Sequence, residues 1–376
     1  MKAHKNVRKP AMCLILFFGY CSIICGQSLS NQNELNEALK VLIKYFRDDE
    51  EQEIKSGMIN IPGAYRLIGL SDEPINLQMK ETVLKNPYGD DFPVSYSVIY
   101  KGRLISLFQS GLFTTHSIQT LERDLSYEKK INSKRFDYHW LIGNKLVGLS
   151  EGRYFYLNSS DKWTAYKDSI PLRNQPKLFE DNKYIVFCDC FGEFGGSVYF
   201  FNKKTGKIYF TGATCANTVY KKDNKYYILY ELGHMGLINS TLKEIINPDL
   251  LTPISIEEVR KGTRGRYGYS ANLNASRIIF SLDPITFSST FNYKGRTVYL
   301  TTNLERTFLA EKENDSIKIV NPLFNSEIAM HYPVTTSYSD TILINGALYG
   351  VGREREISCF IIKDDEFIKI DWNEKR

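Results

Sequence analysis

The sequence is poor in the residues that organise most catalytic centres. It holds only five histidines in 376 residues, and His116, His139 and His331 lie in separate strand-like segments, where strand-face packing is the default. It shows no Walker loop, no H-E-x-x-H and no dinucleotide fingerprint, and no nucleophile elbow is read from it. Cysteine is also scarce. Three of the seven (Cys13, Cys21, Cys25) fall in the first 26 residues, leaving Cys188, Cys190, Cys215 and Cys359. Four cysteines do not make a disulfide scaffold in a chain this long, although export would oxidise a pair. A strong charge of one sign is missing too. The formal charge of +5 includes four basic residues before position 27, and without them the chain stands at +1. Nucleic acid is therefore excluded as the expected partner.

Those first 26 residues have their own pattern. Lys2, Lys5, Arg8 and Lys9 precede an apolar stretch from Ala11 to Cys25 and the small residue Gly26. A basic start, an apolar core and a small terminal residue describe a secretory signal peptide over 1–26. The stretch is shorter than the roughly 20 apolar residues a membrane span needs. The expectation is a secreted or periplasmic protein beginning at Gln27 with no transmembrane span. The alternative is anchoring by an uncleaved signal. Residues 27–56 then form a helix and linker. Leu35, Leu39, Leu42, Ile43 and Phe46 share one helical face, Ser30 or Asn31 is available as a cap, and the acidic run Asp48 to Glu51 follows. Such a helix packs on the rim or base of its own domain. Docking to an envelope partner is the alternative.

From residue 57 onward the pattern is hairpins. Short polar turns at Lys101-Gly102, Gly143-Asn144, Asp181-Asn182, Asp223-Asn224, Lys294-Gly295 and Asn345-Gly346 each precede an alternating apolar run. The first three intervals are close to 40 residues, the spacing of four-stranded blades. The sequence thus predicts an all-β chain, a β-propeller over 57–376, of six blades with five or seven as alternatives. The long interval between Asn224 and Lys294 is read as an insertion over 245–270, with Asn274 to Phe280 a further strand. Residues 57–86 add either a blade or a closing outer strand.

The densest chemistry lies at Cys188-Asp-Cys190 through Gly196, with Cys215 and Glu231-Leu-Gly-His234 one unit later. Cys188 and Cys190 are alternate strand positions and share a face. The three thiols with His234 resemble a zinc ligand set, but the C-x-C spacing and oxidising export argue against metal. Cys215 paired with Cys188 or Cys190, or buried free thiols, is expected instead, and no cofactor is expected. Glu193, Glu231 and His234 are the candidate acid–base residues if the protein is an enzyme acting on glycan or peptide. Arg260, Arg264, Arg266 and Tyr267 interleave cations with aromatics and are the candidate ligand-binding residues.

The Gly26-Gln27 junction and the Tyr-rich hairpins resemble exported propeller proteins of Bacteroidetes-type bacteria, and Asp168-Ser-Ile, Asp315-Ser-Ile and Asp340-Thr-Ile resemble that group's short O-glycosylation motif. The resemblance covers architecture alone and carries over no catalytic residue. The expected function is a monomeric binding or scaffold protein that engages a protein or glycan through its loop face. The alternatives are the enzyme above and a structural component of an envelope complex.

Overall fold

Each polar turn followed by an alternating run folds into antiparallel strands, and the strands assemble into six sheets. The computed structural model describes residues 58–61, 66–89, 93–167, 170–234, 237–261, 275–282, 285–303, 306–314, 316–324, 330–348 and 356–372. The first blade comprises Val98–Tyr100, Arg103–Leu107 and Phe113–Ser117, and the second Tyr138–Ile142, Lys145–Ser150, Arg153–Leu157 and Trp163–Ala165. Lys177–Glu180, Tyr184–Cys190, Gly196–Asn202 and Ile208–Gly212 form the third. The fourth is Ala216–Lys222, Lys225–His234, Leu237–Ile245 and Ser276–Leu282. Thr286–Tyr293, Arg296–Asn303, Arg306–Glu313 and Ser316–Phe324 make the fifth, and Met330–Ser337, Thr341–Leu348, Glu356–Lys363 and Glu366–Asp371 the sixth. The chain is a six-bladed β-propeller.

The core follows from this arrangement. Six apolar clusters fill the six blade-to-blade interfaces, so each blade buries both faces. Aromatic residues supply much of the filling. Phe187 stacks on Tyr199 within the third blade at 5.1 Å, and Phe287 on Tyr299 within the fifth at 4.4 Å.

Four of the six expected turns have positive φ at both central residues: Lys101-Gly102, Gly143-Asn144, Asp223-Asn224 and Lys294-Gly295. This geometry matches the right-handed twist of the strands it joins. At Asp181-Asn182 the Asp181 carboxylate accepts from the backbone N–H groups of Lys183 and Tyr184, both at 2.8 Å. The sixth turn is a correction. Asn345-Gly346 lies inside the strand Thr341–Leu348, and the chain actually turns at Ser339-Asp340, where Tyr338 N–H donates to Thr341 C=O. Asn345 is used elsewhere. Its amide accepts from the Ser97 N–H at 2.9 Å and donates to the Ser97 C=O at 3.0 Å, clasping the sixth blade to the first. A Cβ at Gly346 would meet the terminal methyl of Met330, the flexible end of that side chain.

The insertion after the third strand of the fourth blade turns back over the third. Thr252–Ile254 pairs with Ile208–Gly212 as a fifth strand, and the helix Ile256–Lys261 follows, with Val259 in the cluster between the second and third blades. The strand Ser276–Leu282 then completes the fourth blade. A second short helix, Leu125–Ile131, covers the first blade, which has three strands among the described residues. Asp124 caps it by accepting from Tyr127 N–H, and Tyr127, Glu128 and Ile131 are buried. Both helices are too short for a periodic apolar pattern to show in sequence.

Within 57–86 the described residues serve as outer strands of the fifth and sixth blades and form no separate blade. Arg66–Leu70 runs parallel to Ser316–Phe324 on the fifth blade, with Met58–Ile61 outside it, and Gln78–Val83 runs parallel to Glu366–Asp371 on the sixth. Asn321 fixes the connection by accepting from Leu77 N–H at 2.7 Å. The expected helix over 31–46 and the signal over 1–26 lie outside the described residues. No helix among the described residues is long and apolar enough to cross a membrane.

Replacing Asn345 by alanine strands both polar groups of the buried Ser97 peptide. The expected cost is about 2–6 kcal/mol, given roughly 1–3 for each of the two unsatisfied groups. Urea unfolding measures it, and a loss well under 1 kcal/mol would show that the clasp does not secure the seam.

Candidate functional site

The inner strands leave an opening at each end of the axis. The hairpin-end funnel, of about 1210 Å³, is lined by the turns between first and second strands. The loop-end funnel, of about 950 Å³, is lined by the connections between blades. A chamber of about 40 Å³ lies between them and shares Tyr96 and Tyr138 with one funnel and Leu141 and Tyr338 with the other. His139 sits at this waist with its Nδ1 2.6 Å from Ser95 Oγ, and burial lowers its pKa to about 4.

The two funnels differ electrostatically. At the hairpin end four of the five lining lysines are ion-paired locally. Lys101 pairs with Asp161 at 2.8 Å, Lys177 and Lys203 share Glu180 at 2.9 and 3.0 Å, and Lys221 pairs with Asp181 at 2.8 Å. At the loop end Arg260 and Lys261 stand at the end of the helix Ile256–Lys261 and make no ion pair with any described residue. Asp189, the acid in this lining, is turned inward. It accepts from Ser197 N–H at 2.8 Å and Tyr199 O–H at 2.6 Å, and burial raises its pKa. The rest of the wall includes Tyr96, Tyr138, Phe191, Gln109 and Gln175.

The loop end is also cross-linked. Cys190 and Cys215 form a disulfide, with Cα atoms 4.5 Å apart, that joins the third blade to the fourth. Cys188 lies on the same side of its strand. Its buried Sγ is 3.6 Å from the Ala216 C=O, and burial pushes its thiol pKa well up. The disulfide removes two of the four groups a zinc site at this position would use. Among the described residues no three His, Cys, Asp or Glu side chains are placed to hold a metal. Across the funnel Tyr96 donates to the Tyr332 C=O at 2.8 Å, tying the first blade to the sixth.

The candidate acid–base residues are placed unequally. Glu193 falls in the short 3-10 turn Gly192–Phe194, and His234 ends the strand Lys225–His234; both side chains lie outside the described residues. Glu231 sits on that strand opposite Ser240 and lines neither funnel. Its Oε2 is buried without a hydrogen-bond partner, and burial pushes the carboxyl up to about 8. Arg264, Arg266 and Tyr267 lie outside the described residues, while Arg260 reaches the same funnel as Cys188, Cys190 and Cys215. Tyr96, Gln109, Gln175 and Tyr332 were not legible as site residues. Their one signal is position, since three of the four fall just before or at the start of an inner strand.

One G-x-S-x-G spacing does occur, Gly148-Leu-Ser-Glu-Gly152. Ser150 is buried at the end of a strand, and Glu151 and Gly152 turn directly into the next strand with positive φ. A nucleophile elbow needs a strand-to-helix turn that exposes the serine, so this is a hairpin.

No protein-family model matches the chain, and no curated protein matches it. Among solved structures it is similar to PorZ, an essential bacterial surface component of the type-IX secretion system of Porphyromonas gingivalis. That match has 12% identity over 74% of this chain and 36% of PorZ, with a TM-score of 0.32. The chain thus spans about a third of PorZ. It is also similar to Semaphorin 2a of Drosophila (12% identity, 74% of this chain and 62% of that one, TM-score 0.32). A third similarity is to BamB from Moraxella catarrhalis (8% identity, 69% and 81%, TM-score 0.30). All three TM-scores are low, and the six-bladed assignment rests on the strand pairing itself.

Two outcomes are expected. Replacing Cys190 and Cys215 by serine lowers stability by about 3.5 kcal/mol in urea unfolding, the loop-entropy value for a bridge spanning 25 residues. The folded Glu231 carboxyl titrates near 8 and the unfolded one near the ordinary value of roughly 4.3. Between these values the folded state binds more protons, so its contribution is complete below the lower pKa and is lost as pH rises to about 8. Thermal unfolding of Glu231→Gln should therefore match wild type at pH 4 and exceed it at pH 8. A constant difference across that range would contradict the titration.

Proposed function

We propose that the protein is an exported binding or scaffold module that takes an acidic glycan in its loop-end funnel. The observation that supports this is the charge contrast between the two ends. The hairpin-end lysines are largely spent on Asp161, Glu180 and Asp181, whereas Arg260 and Lys261 reach the loop-end funnel without an acidic partner among the described residues. A guanidinium in that position favours a carboxylate. Tyr96, Tyr138 and Phe191 offer flat apolar faces and Gln109 and Gln175 offer amides, a lining suited to the mixed apolar and hydroxylated faces of a sugar. The disulfide and the Tyr96–Tyr332 bond hold this wall before any ligand arrives, which limits the ordering cost of binding.

The test is titration calorimetry with oligogalacturonate as the uronate probe. Binding should weaken roughly ten- to a hundredfold in Arg260→Glu/Lys261→Glu, as expected for losing charge-assisted hydrogen bonds of about 1.5–3 kcal/mol. Lys203→Glu, at the opposite end, should leave it unchanged. Equal loss in both variants would place binding elsewhere. No binding of the probe, with capture of a protein partner that Arg260→Glu abolishes, would reject the glycan and keep the funnel.

A further inference from the structure

Seven large apolar side chains are exposed among the described residues, and three of them, Ile246, Ile278 and Ile279, lie on or beside one outer strand. Ile278 and Ile279 are on the outer strand of the fourth blade, 60% and 43% exposed, and Ile246 follows the strand paired with it. The Ile246 N–H donates to Ala275 C=O at 2.9 Å, which brings Ile246 beside the start of the outer strand. A bulge contributes as well. Ile278 pairs with Lys243 and Phe280 with Leu242, so Ile279 is the extra residue, and two successive isoleucines stay uncovered.

This edge differs from the others. The third, fifth and sixth blades each carry an additional outer strand. The second ends in the three-residue strand Trp163–Ala165, and the helix Leu125–Ile131 covers the first. Ser276–Leu282 has seven residues and no strand on its outer side among the described residues. An open, apolar edge of that length is a site for association. Its flanks are cationic. Arg277 and Lys225 both pair with the single carboxylate of Glu244, at 2.8 and 3.3 Å, leaving an excess positive charge at one end. Lys312 lies over the Phe280 ring at 5.1 Å at the other.

The chain itself carries a segment with the complementary character. Leu35, Leu39, Leu42, Ile43 and Phe46 are spaced to share one face of a helix, and Asp48-Asp-Glu-Glu51 follows at once. The described chain resumes at Met58, on the outermost strand of the adjoining fifth blade. The residues between Phe46 and Met58 can span up to about 40 Å when extended, enough to step back across one blade. We propose that the outer edge of the fourth blade is the seat of the chain's own N-terminal helix, residues 31–46. Its apolar face covers Ile246, Ile278 and Ile279, and the acidic run meets the cations around Arg277 and Lys312.

Hydrogen exchange read by mass spectrometry on the full chain tests this. Leu39→Asp/Leu42→Asp should speed exchange in the peptide covering 276–282 at least tenfold and leave the peptide covering 341–348 unchanged. Ile278→Ser/Ile279→Ser should do the same to residues 31–46. Because either variant can perturb its own segment, Leu42→Cys/Ile279→Cys provides an independent measure. Mild oxidation should join that pair in the intact protein. Exchange over 276–282 that is indifferent to the helix variant, or a pair that stays reduced, overturns the proposal. So does a dimer by light scattering that Ile279→Ser dissolves, since the edge would then be covered by a second copy.

Discussion

A propeller is a ring, and its blades hold together only if the last is fastened to the first. Here the sixth blade contains strands from both ends of the described chain, because Gln78–Val83 pairs along Glu366–Asp371. The chain then passes from that outer edge to the inner strand of the first blade, where the Ser97 peptide is gripped on both sides by the Asn345 amide. Ile99 N–H adds a bond to Tyr338 Oη at 3.0 Å. Trp372 closes the seam from the C-terminal side, fully buried with Phe108 edge-on at 5.1 Å. Apolar packing at this interface resembles that at the other five, so the added specificity is polar. One amide copies the hydrogen bonding of a missing strand neighbour, and any rotation of the sixth blade against the first would leave that pair unmade inside the core.

Closure also explains why the two ends of the axis have different chemistry. At the hairpin end each turn is short, and neighbouring turns lie close enough for lysine and carboxylate side chains to pair across blades. Burial works against the Glu180 carboxylate there, but Lys177 beside it, the Gly143 N–H and Lys203 outweigh that and keep its pKa low. Those charges are committed to holding turns in place. The loop end has no such regular turns. Its walls are the segments that pass from one blade to the next, together with the helix of the insertion, and nothing in the ring's geometry dictates their side chains. Arg260 and Lys261 at that end have no ion-pair partner among the described residues.

The scaffold was legible to the extent that local turn chemistry decides it. Lys101-Gly102, Gly143-Asn144, Asp223-Asn224 and Lys294-Gly295 need positive φ for reasons confined to the turn, and the sequence states that need directly. Asn345-Gly346 carries the same two-residue signal inside a strand, where the asparagine serves the seam and the glycine lies beside the end of the Met330 side chain. The turn that does end that inner strand, Ser339-Asp340, has no glycine. The outer strands within residues 66–83 were anticipated only as one of two alternatives, and their pairing was not legible because their partners lie more than 200 residues away. At the site, Cys188, Cys190, Cys215 and Arg260 were marked in advance by composition. The aromatic and amide residues of the same funnel were not, because they gain meaning only when blades six, one and two are brought round to face the third.

The cysteines show how burial settles what spacing leaves open. Cys188 and Cys190 lie on the same side of one strand, and either parity would allow a bond to Cys215. They differ in depth. Cys188 is packed among Val198, Ala216 and Ile228 in the cluster between the third and fourth blades, where loss of its proton is strongly disfavoured and attack on a disulfide is correspondingly slow. Cys190 ends the strand at the rim, where the chain turns away into Gly192–Phe194 and no longer has ladder bonds to fix it. The covalent link thus falls where backbone pairing stops. The strand below needs no bridge, and the loop above it, which forms the funnel wall, would be free to move without one.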